Sequence, residues 1–251
     1  MHWKWASATA IGTSHLRSGQ PKQDSLKVTA FDDDSFFACV SDGAGSASQS
    51  KLGSWLACRF LSDKFKRWNN ISDDTPPEQI IWEWIEDYRD LIATFASKKG
   101  IERREFACTL ACVFVTKNKY IALHVGDSCI VSDENNEWQT IFWPENGEYA
   151  STTYFLTDDP SPKLNVRRSP LTSKNFAIFS DGINSVALSY QTQTAFPGFF
   201  DAMFSQIHQS KEDGYMHETS SALLVFLNSE RLCEKTDDDK SLVLISRNHE
   251  S

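Results

Sequence analysis

An α+β fold, with sheets covered by helix pairs on both sides, is predicted by three observations. Short apolar runs rich in aromatic and β-branched residues read as strands. Long stretches with apolar residues at helical spacing read as helices, and the two kinds of segment follow one another in the order β, αα, β, αα, β. Each strand run stops at a polar or glycine-containing turn, and each helical run ends at glycine, proline or a polar loop.

Residues 5–11, 26–30 and 36–40 read as the first strands. A helix follows at about residues 48–68, carrying Leu52, Trp55, Leu56, Phe60 and Phe65 on an apolar side, and residues 69–77 form a loop. Pro77 and Glu78 open a second helix. In it Ile81, Trp84, Ile85, Tyr88, Leu91, Ile92 and Phe95 recur at helical spacing, Glu83, Glu86, Asp87 and Asp90 keep off that stripe, and Gly100 stops it. Two amphipathic helices in succession imply an antiparallel pair lying on a sheet. Strand patterning returns at residues 107–116, 120–125, 128–132 and 138–142, which reads as a β-meander. Residues 143–174 hold several prolines and little periodicity, and are expected to form an irregular flap-like insertion over one end of the sheet. Residues 176–179 resume the core, helices are expected at about 198–209 and 216–229, and an acidic loop with Asp237, Asp238 and Asp239 precedes a closing strand at 241–246.

With 251 residues and 40% hydrophobic content, residues 1–251 are expected to fold as one domain with a sizeable core. No apolar run has the length of a membrane span, and the first residues lack the apolar stretch of a signal peptide, so a cytoplasmic protein is expected. The six cysteines (Cys39, Cys58, Cys108, Cys112, Cys129 and Cys233) contain no Cys-x-x-Cys pair and read as reduced core thiols. A net charge of −9 argues against general binding to nucleic acid or anionic membranes, whose phosphates would be repelled.

The chemistry is carried by aspartates. Ser-Asp-Gly occurs twice, at Ser41-Asp42-Gly43 and Ser180-Asp181-Gly182, each time directly after a predicted buried strand. A single Asp-Gly is most often a turn whose side chain bonds its own backbone. Three further positions sit beside predicted strands, however: Asp24, Asp127 in Val125-Gly126-Asp127-Ser128, and the Asp238-Asp239 pair. Five such positions exceed what turns need. Carboxylates that converge repel one another, and a hard divalent cation such as magnesium or manganese is the usual remedy.

In order and surroundings these residues resemble the metal-dependent protein phosphatases of type 2C, as a single-domain, bacterial-type member. The matching motifs are Gly12-Thr13-Ser14-His15 with Gln23-Asp24, Asp42-Gly43-Ala44-Gly45, the threonine-bearing Cys108-Thr109-Leu110, Val125-Gly126-Asp127-Ser128-Cys129, Ser180-Asp181-Gly182, and Asp238-Asp239-Lys240-Ser241. The resemblance implies a four-layer α-β-β-α sandwich of two mostly antiparallel sheets flanked by antiparallel helix pairs. It also implies hydrolysis of phosphoserine or phosphothreonine in proteins by a hydroxide bridging two Mn²⁺ or Mg²⁺ ions, with a third ion in some members. Carried over by position, Asp42 bridges the two ions, the Gly43 carbonyl binds one, Asp181 and Asp238 complete the other's shell, Asp24 supports the site, and Asp127 serves a third ion. Asp239, in the place of the family's asparagine, is the fallback for Asp238. The implied partners are phosphorylated proteins and an opposing serine/threonine kinase, and the chain is expected to act as a monomer. Alternatives are a pseudophosphatase that binds phosphoproteins or a kinase without turnover, and a hydrolase of small phosphomonoesters.

Several positions depart from the family pattern. His15 stands where most members carry a phosphate-binding arginine, and is read either as a weaker, more pH-dependent phosphate ligand or as a loop histidine. Ala44 removes a histidine that some members have there, and Cys129 replaces the motif's arginine. His124 reads as a packed residue rather than a base, the tryptophans read as packing residues, and Glu148 either touches substrate or caps the insertion.

Overall fold

The computed structural model describes residues 3–145 and 153–247. The first half runs β1 (Trp3–Ala10), α1 (Thr13–Ser18), β2 (Ser25–Ala30), β3 (Phe36–Ser41), α2 (Ser50–Asn69), α3 (Glu78–Lys99), β4 (Leu110–Val115) and β5 (Lys119–Val125). Then come β6 (Cys129–Glu134), β7 (Glu137–Phe142), β8 (Asn165–Pro170), β9 (Asn175–Phe179), α4 (Asn184–Ala187), β10 (Leu188–Ser189) and β11 (Thr194–Ala195). The chain closes with α5 (Pro197–Gln209), α6 (His217–Leu227), α7 (Glu230–Cys233) and β12 (Lys240–Arg247).

Two five-stranded antiparallel sheets, ordered β1-β12-β9-β6-β7 and β2-β3-β4-β5-β8, face each other. Strand alternation builds three cores from them. In β3, Phe36, Ala38 and Val40 point between the sheets, where they meet Val243, Ile245, Phe176 and Ile178. Phe37 and Cys39 point the other way, into a core shared with α2 and α3. Leu242, Leu244, Ala177 and Phe179 leave the first sheet on its outer face and pack under α5 and α6. Strands buried on both faces read as continuous apolar runs, which is why the central ones stand out in the sequence.

The expected meander is corrected. β4 and β5 belong to one sheet while β6 and β7 belong to the other, because the chain crosses over at Gly126 with φ +99°. A Cβ at Gly126 would lie 2.8 Å from both Thr109 Cγ2 and the Tyr154 carbonyl oxygen, so only glycine makes this crossing without strain. The expected irregular insertion is corrected as well: it contains β8, which pairs with β5 as an edge strand. β8 alternates polar and half-buried residues, so it lacks the apolar signature of the inner strands. Residues 146–152, which include Glu148, lie outside the described residues.

The apolar side expected for the first helix is also revised. α2 buries Gly53, Ala57, Cys58, Leu61 and Phe65, while Trp55 is 47% exposed under the guanidinium of Arg59. Small residues win this face because the helix backbone sits close to the chain before β4; a Cβ on Gly53 would meet the Phe106 carbonyl oxygen. α3 follows its predicted stripe but also buries Arg89, and Gly100 caps it in the left-handed conformation. The helix expected at 216–229 is α6, and α1, α4, the β10-β11 hairpin and the short α7 after it were not foreseen.

Candidate active site

The ends of β3 and β9 deliver Asp42 and Asp181 to one rim, and the sheet crossover at Gly126 brings Asp127 beside them. One carboxylate oxygen from each of Asp42, Asp127 and Asp181 lies within 4.8 Å of the others. They line a cavity of about 760 Å³ together with His15, Gly43, Thr109, Thr153, Phe155, Asp158 and Asp238. Asp24 is 2% exposed and sits behind this wall, where the Ser180 hydroxyl donates to it at 2.7 Å.

Neutral groups fasten these turns to one another. The Thr109 hydroxyl accepts from the Asp42 N–H at 3.0 Å and lies 3.1 Å from the Ser128 hydroxyl, coupling the Asp42 turn to the Asp127 turn. The Asn184 amide donates to the Asp127 carbonyl at 3.0 Å, which couples the Asp127 turn to the Asp181 turn. The Ser241 N–H donates to the Ser180 hydroxyl at 2.9 Å and brings in β12. Gly182 is glycine because its Cβ position lies 2.1 Å from the Asp239 carbonyl oxygen.

The electrostatics of the bare carboxylates are unfavourable. Burial, then repulsion from Asp24 and Asp181, pushes the Asp42 carboxyl well above the ordinary carboxylate range. Burial, then Asp127 and Asp238, does the same to Asp181. Burial lifts Asp24 to about 6 despite its hydrogen bonds, and it also raises Asp127 and Asp238. Among the described residues, no ion pair with lysine or arginine relieves any of these five. Asp24, Asp127 and Asp181 each keep a buried Oδ1 with no hydrogen-bond partner. Orphaned, oxygen-only donors converging on one cavity fit a hard divalent cation.

The terminal aspartate pair divides its work. Asp238 lines the cavity. Asp239 is 1% exposed and accepts from the N–H groups of Gly12 and Gln23, both at 2.6 Å, and of Asp24 at 3.3 Å. It also lies 3.0 Å from Nδ1 of His15, which α1 carries to the cavity wall. A carboxylate that takes backbone protons is an acceptor, so the His15 proton belongs on Nδ1, leaving Nε2 for other partners.

The remaining positions are structural. His124 is fully buried, with Nε2 2.8 Å from the Ser128 carbonyl oxygen and its ring stacked on Phe142. Cys129 is buried in the core under α5, and Ala44 packs with Ala47, Ala107 and Phe155. All six cysteines are free, five of them buried. Sequence reasoning gave no role to Ser180, Asn184, Phe155 or Asp158. For Ser180 the repeated Ser-Asp-Gly was an available signal, whereas the others join the site only through tertiary contact.

Among the described residues, no helix is long and apolar enough to cross a membrane. A family model described as protein phosphatase 2C matches residues 11–227. Serine/threonine-protein phosphatase 3 of Escherichia coli K12 is 28% identical over 253 residues, covering 97% of this chain and 98% of that protein. The Mycobacterium tuberculosis serine/threonine phosphatase PstP/Ppp superposes with a TM-score of 0.65 at 16% identity, covering 99% of this chain and all of the other. The PstP catalytic domain solved in complex with two manganese ions gives a TM-score of 0.62 at 16% identity, covering 97% of each chain. A two-sheet sandwich with helices on both outer faces, carboxylates gathered at one rim, and a family match spanning most of the sequence agree, and the chain belongs to the protein phosphatase 2C family.

Proposed function

We propose that this protein is a metal-dependent phosphatase that hydrolyses phosphoserine or phosphothreonine in proteins, with Mn²⁺ or Mg²⁺ held by the carboxylates of the cavity. The observation that carries this reading is the convergence of Asp42, Asp127 and Asp181, the last two with a buried orphaned oxygen each, on an open cavity in a chain of this family. Asp42, Asp181 and Asp238, with the Gly43 carbonyl, are the proposed holders of the two principal ions; Asp127 serves a third and Asp24 braces Asp42. Divalent cations there lower the pKa of water and offset charge on phosphoryl oxygens. The chain supplies the rest. Thr109, Ser180 and Asn184 hold the carboxylate turns in register, and His15, oriented by Asp239, presents Nε2 to the phosphoryl group. Among the described residues that line the cavity, no serine or cysteine is paired with a base, which supports attack on the ester by water.

The natural counterpart is a serine/threonine kinase, because a kinase generates such a substrate. Six free cysteines support a reducing, cytoplasmic location, and a site contained in one chain supports a single-domain monomer. The test is phosphate release from a phosphothreonine peptide with Mn²⁺, with excess chelator, and with Asp42→Asn. Turnover should require the metal and fall by at least a hundredfold in the variant, with the fold retained by circular dichroism. Mn²⁺ binding without turnover would instead assign a phosphoprotein-binding role.

A further inference from the structure

One buried cation of the fold is not used by the site described so far. Arg89, on α3, is 2% exposed. Its Nη1 donates to the carbonyls of Leu156 (3.0 Å) and Asp158 (2.6 Å), and its Nη2 donates to that of Pro160 (3.0 Å). Asp159 is reached by both Arg89 and Arg103. Burying a guanidinium costs several kcal/mol unless its donors are satisfied, and here backbone carbonyls of alternate residues satisfy them. The arrangement therefore fixes one backbone path. The same stretch is fastened on its other side, where the Leu156 N–H donates to the Cys108 carbonyl (2.9 Å) and Cys108 bridges to Gly43 in the Asp42 turn.

This path carries two cavity-lining side chains. Phe155 packs against Ala44, Ala47 and Ala107, and its N–H donates to Asp158 Oδ2 at 2.8 Å. The cavity lining thus divides into the carboxylate group already assigned and a second group of Ala44, Gly45, Ser46, Phe155 and Asp158. An aromatic ring beside a carboxylate is a receptor for a cationic side chain. Among the described residues, no lysine or arginine lines the cavity to occupy it.

Resting on the phosphatase reading, we propose that Phe155 and Asp158 form a subsite for a lysine or arginine flanking the phosphorylated residue. Arg89 acts as the positioning residue that holds this subsite from behind. A peptide substrate then engages two regions of one cavity, and a small phosphomonoester engages only the first.

The experiment compares kcat/KM for p-nitrophenyl phosphate with that for two phosphothreonine peptides, identical except that arginine or glutamate flanks the phosphoresidue. The full chain is used with saturating Mn²⁺. Wild type should favour the arginine peptide about fivefold or more, the size of one charge-assisted contact at a half-exposed site. Asp158→Asn should bring that preference below twofold. Arg89→Lys keeps the charge but not the fork; it should raise KM for the arginine peptide about fivefold relative to p-nitrophenyl phosphate, with little change in the kcat ratio. A wild type indifferent to the flanking charge, or Asp158→Asn with its preference intact, overturns the subsite. An Arg89→Lys variant that lowers all three activities in proportion overturns the positioning role. If Arg89→Lys does not fold, Asp158→Asn still decides the subsite, and Arg89→Gln decides the positioning role by the same KM ratio. Failure to hydrolyse any of the three substrates would count against the phosphatase reading itself, whereas hydrolysis without discrimination removes only the subsite.

Discussion

Removing metal should make this protein more stable in mild acid than at neutral pH, the reverse of the usual acid lability. Asp24 shows why. Its folded-state pKa of about 6 stands above the 3.8 of an ordinary aspartate, so the folded state binds the proton more tightly than the unfolded chain does. Stability from this group is fully present below pH 3.8 and is lost as pH rises through 6. The shift is worth about 3 kcal/mol in all, of which roughly half disappears between pH 5 and pH 7.5. Asp42 and Asp181 are raised in the same direction and add to the loss, while buried His124, whose pKa burial lowers, opposes it in the same window. For a chain of this size the loss corresponds to a fall in Tm of roughly 3–6 °C. The assay is thermal or urea unfolding in excess chelator from pH 4.5 to 8, on wild type and Asp24→Asn. Asparagine can still accept from Ser180 and cannot ionise, so the variant should lose part of the slope. Saturating Mn²⁺ should abolish or reverse the trend, because the ion binds the deprotonated site. Metal-free wild type whose stability is flat or rising between pH 5 and 7.5 would refute the idea that these carboxylates are held together against their own repulsion.

Asp239→Ala leaves the N–H groups of Gly12 and Gln23 buried without an acceptor, and should cost about 3 kcal/mol or more in urea unfolding, while Asp239→Asn should cost less. Gly126→Ala meets both the positive φ and the Tyr154 carbonyl, and should destabilise by about 2 kcal/mol and weaken Mn²⁺ binding measured by calorimetry. His15→Arg should lower KM for a phosphopeptide, as expected if the side chain at this position meets the phosphoryl group; an unchanged KM would remove His15 from that role. In the folded protein only Cys233 should react quickly with a thiol reagent, and the five buried cysteines should react only on unfolding.

What could be read from the chain follows from how each element earns its burial. The central strands β3, β4, β5, β9 and β12 are buried on both faces and announce themselves as apolar runs. The edge strand β8 is half polar and is invisible to the same test. The stripe of α3 was legible because large residues fill its buried face, whereas α2 approaches its neighbours closely and buries glycine, alanine and serine. The aspartates were legible as a set because their glycine and serine neighbours mark strand ends. Their number suggested a site, but only the fold separates Asp238, on the cavity wall, from Asp239, spent on backbone amides. Arg89 sat unnoticed in an amphipathic helix because its partners are main-chain carbonyls some seventy positions away, which leave no mark on the sequence.

β12 has a temporal consequence. It lies between β1 and β9, so residues 240–247 join a strand far earlier in the chain to the strand that leads into Asp181. Asp239, at its threshold, then gathers Gly12, His15 and Gln23. A nascent chain that stops before residue 238 already holds the β2–β5 layer with α2 and α3, but it lacks Asp238, the β1-β12-β9 pairing and the Asp239 contact to His15. Contacts of such long sequence separation form late. The acidic rim is therefore complete only once residues 238–247 have joined the rest of this region.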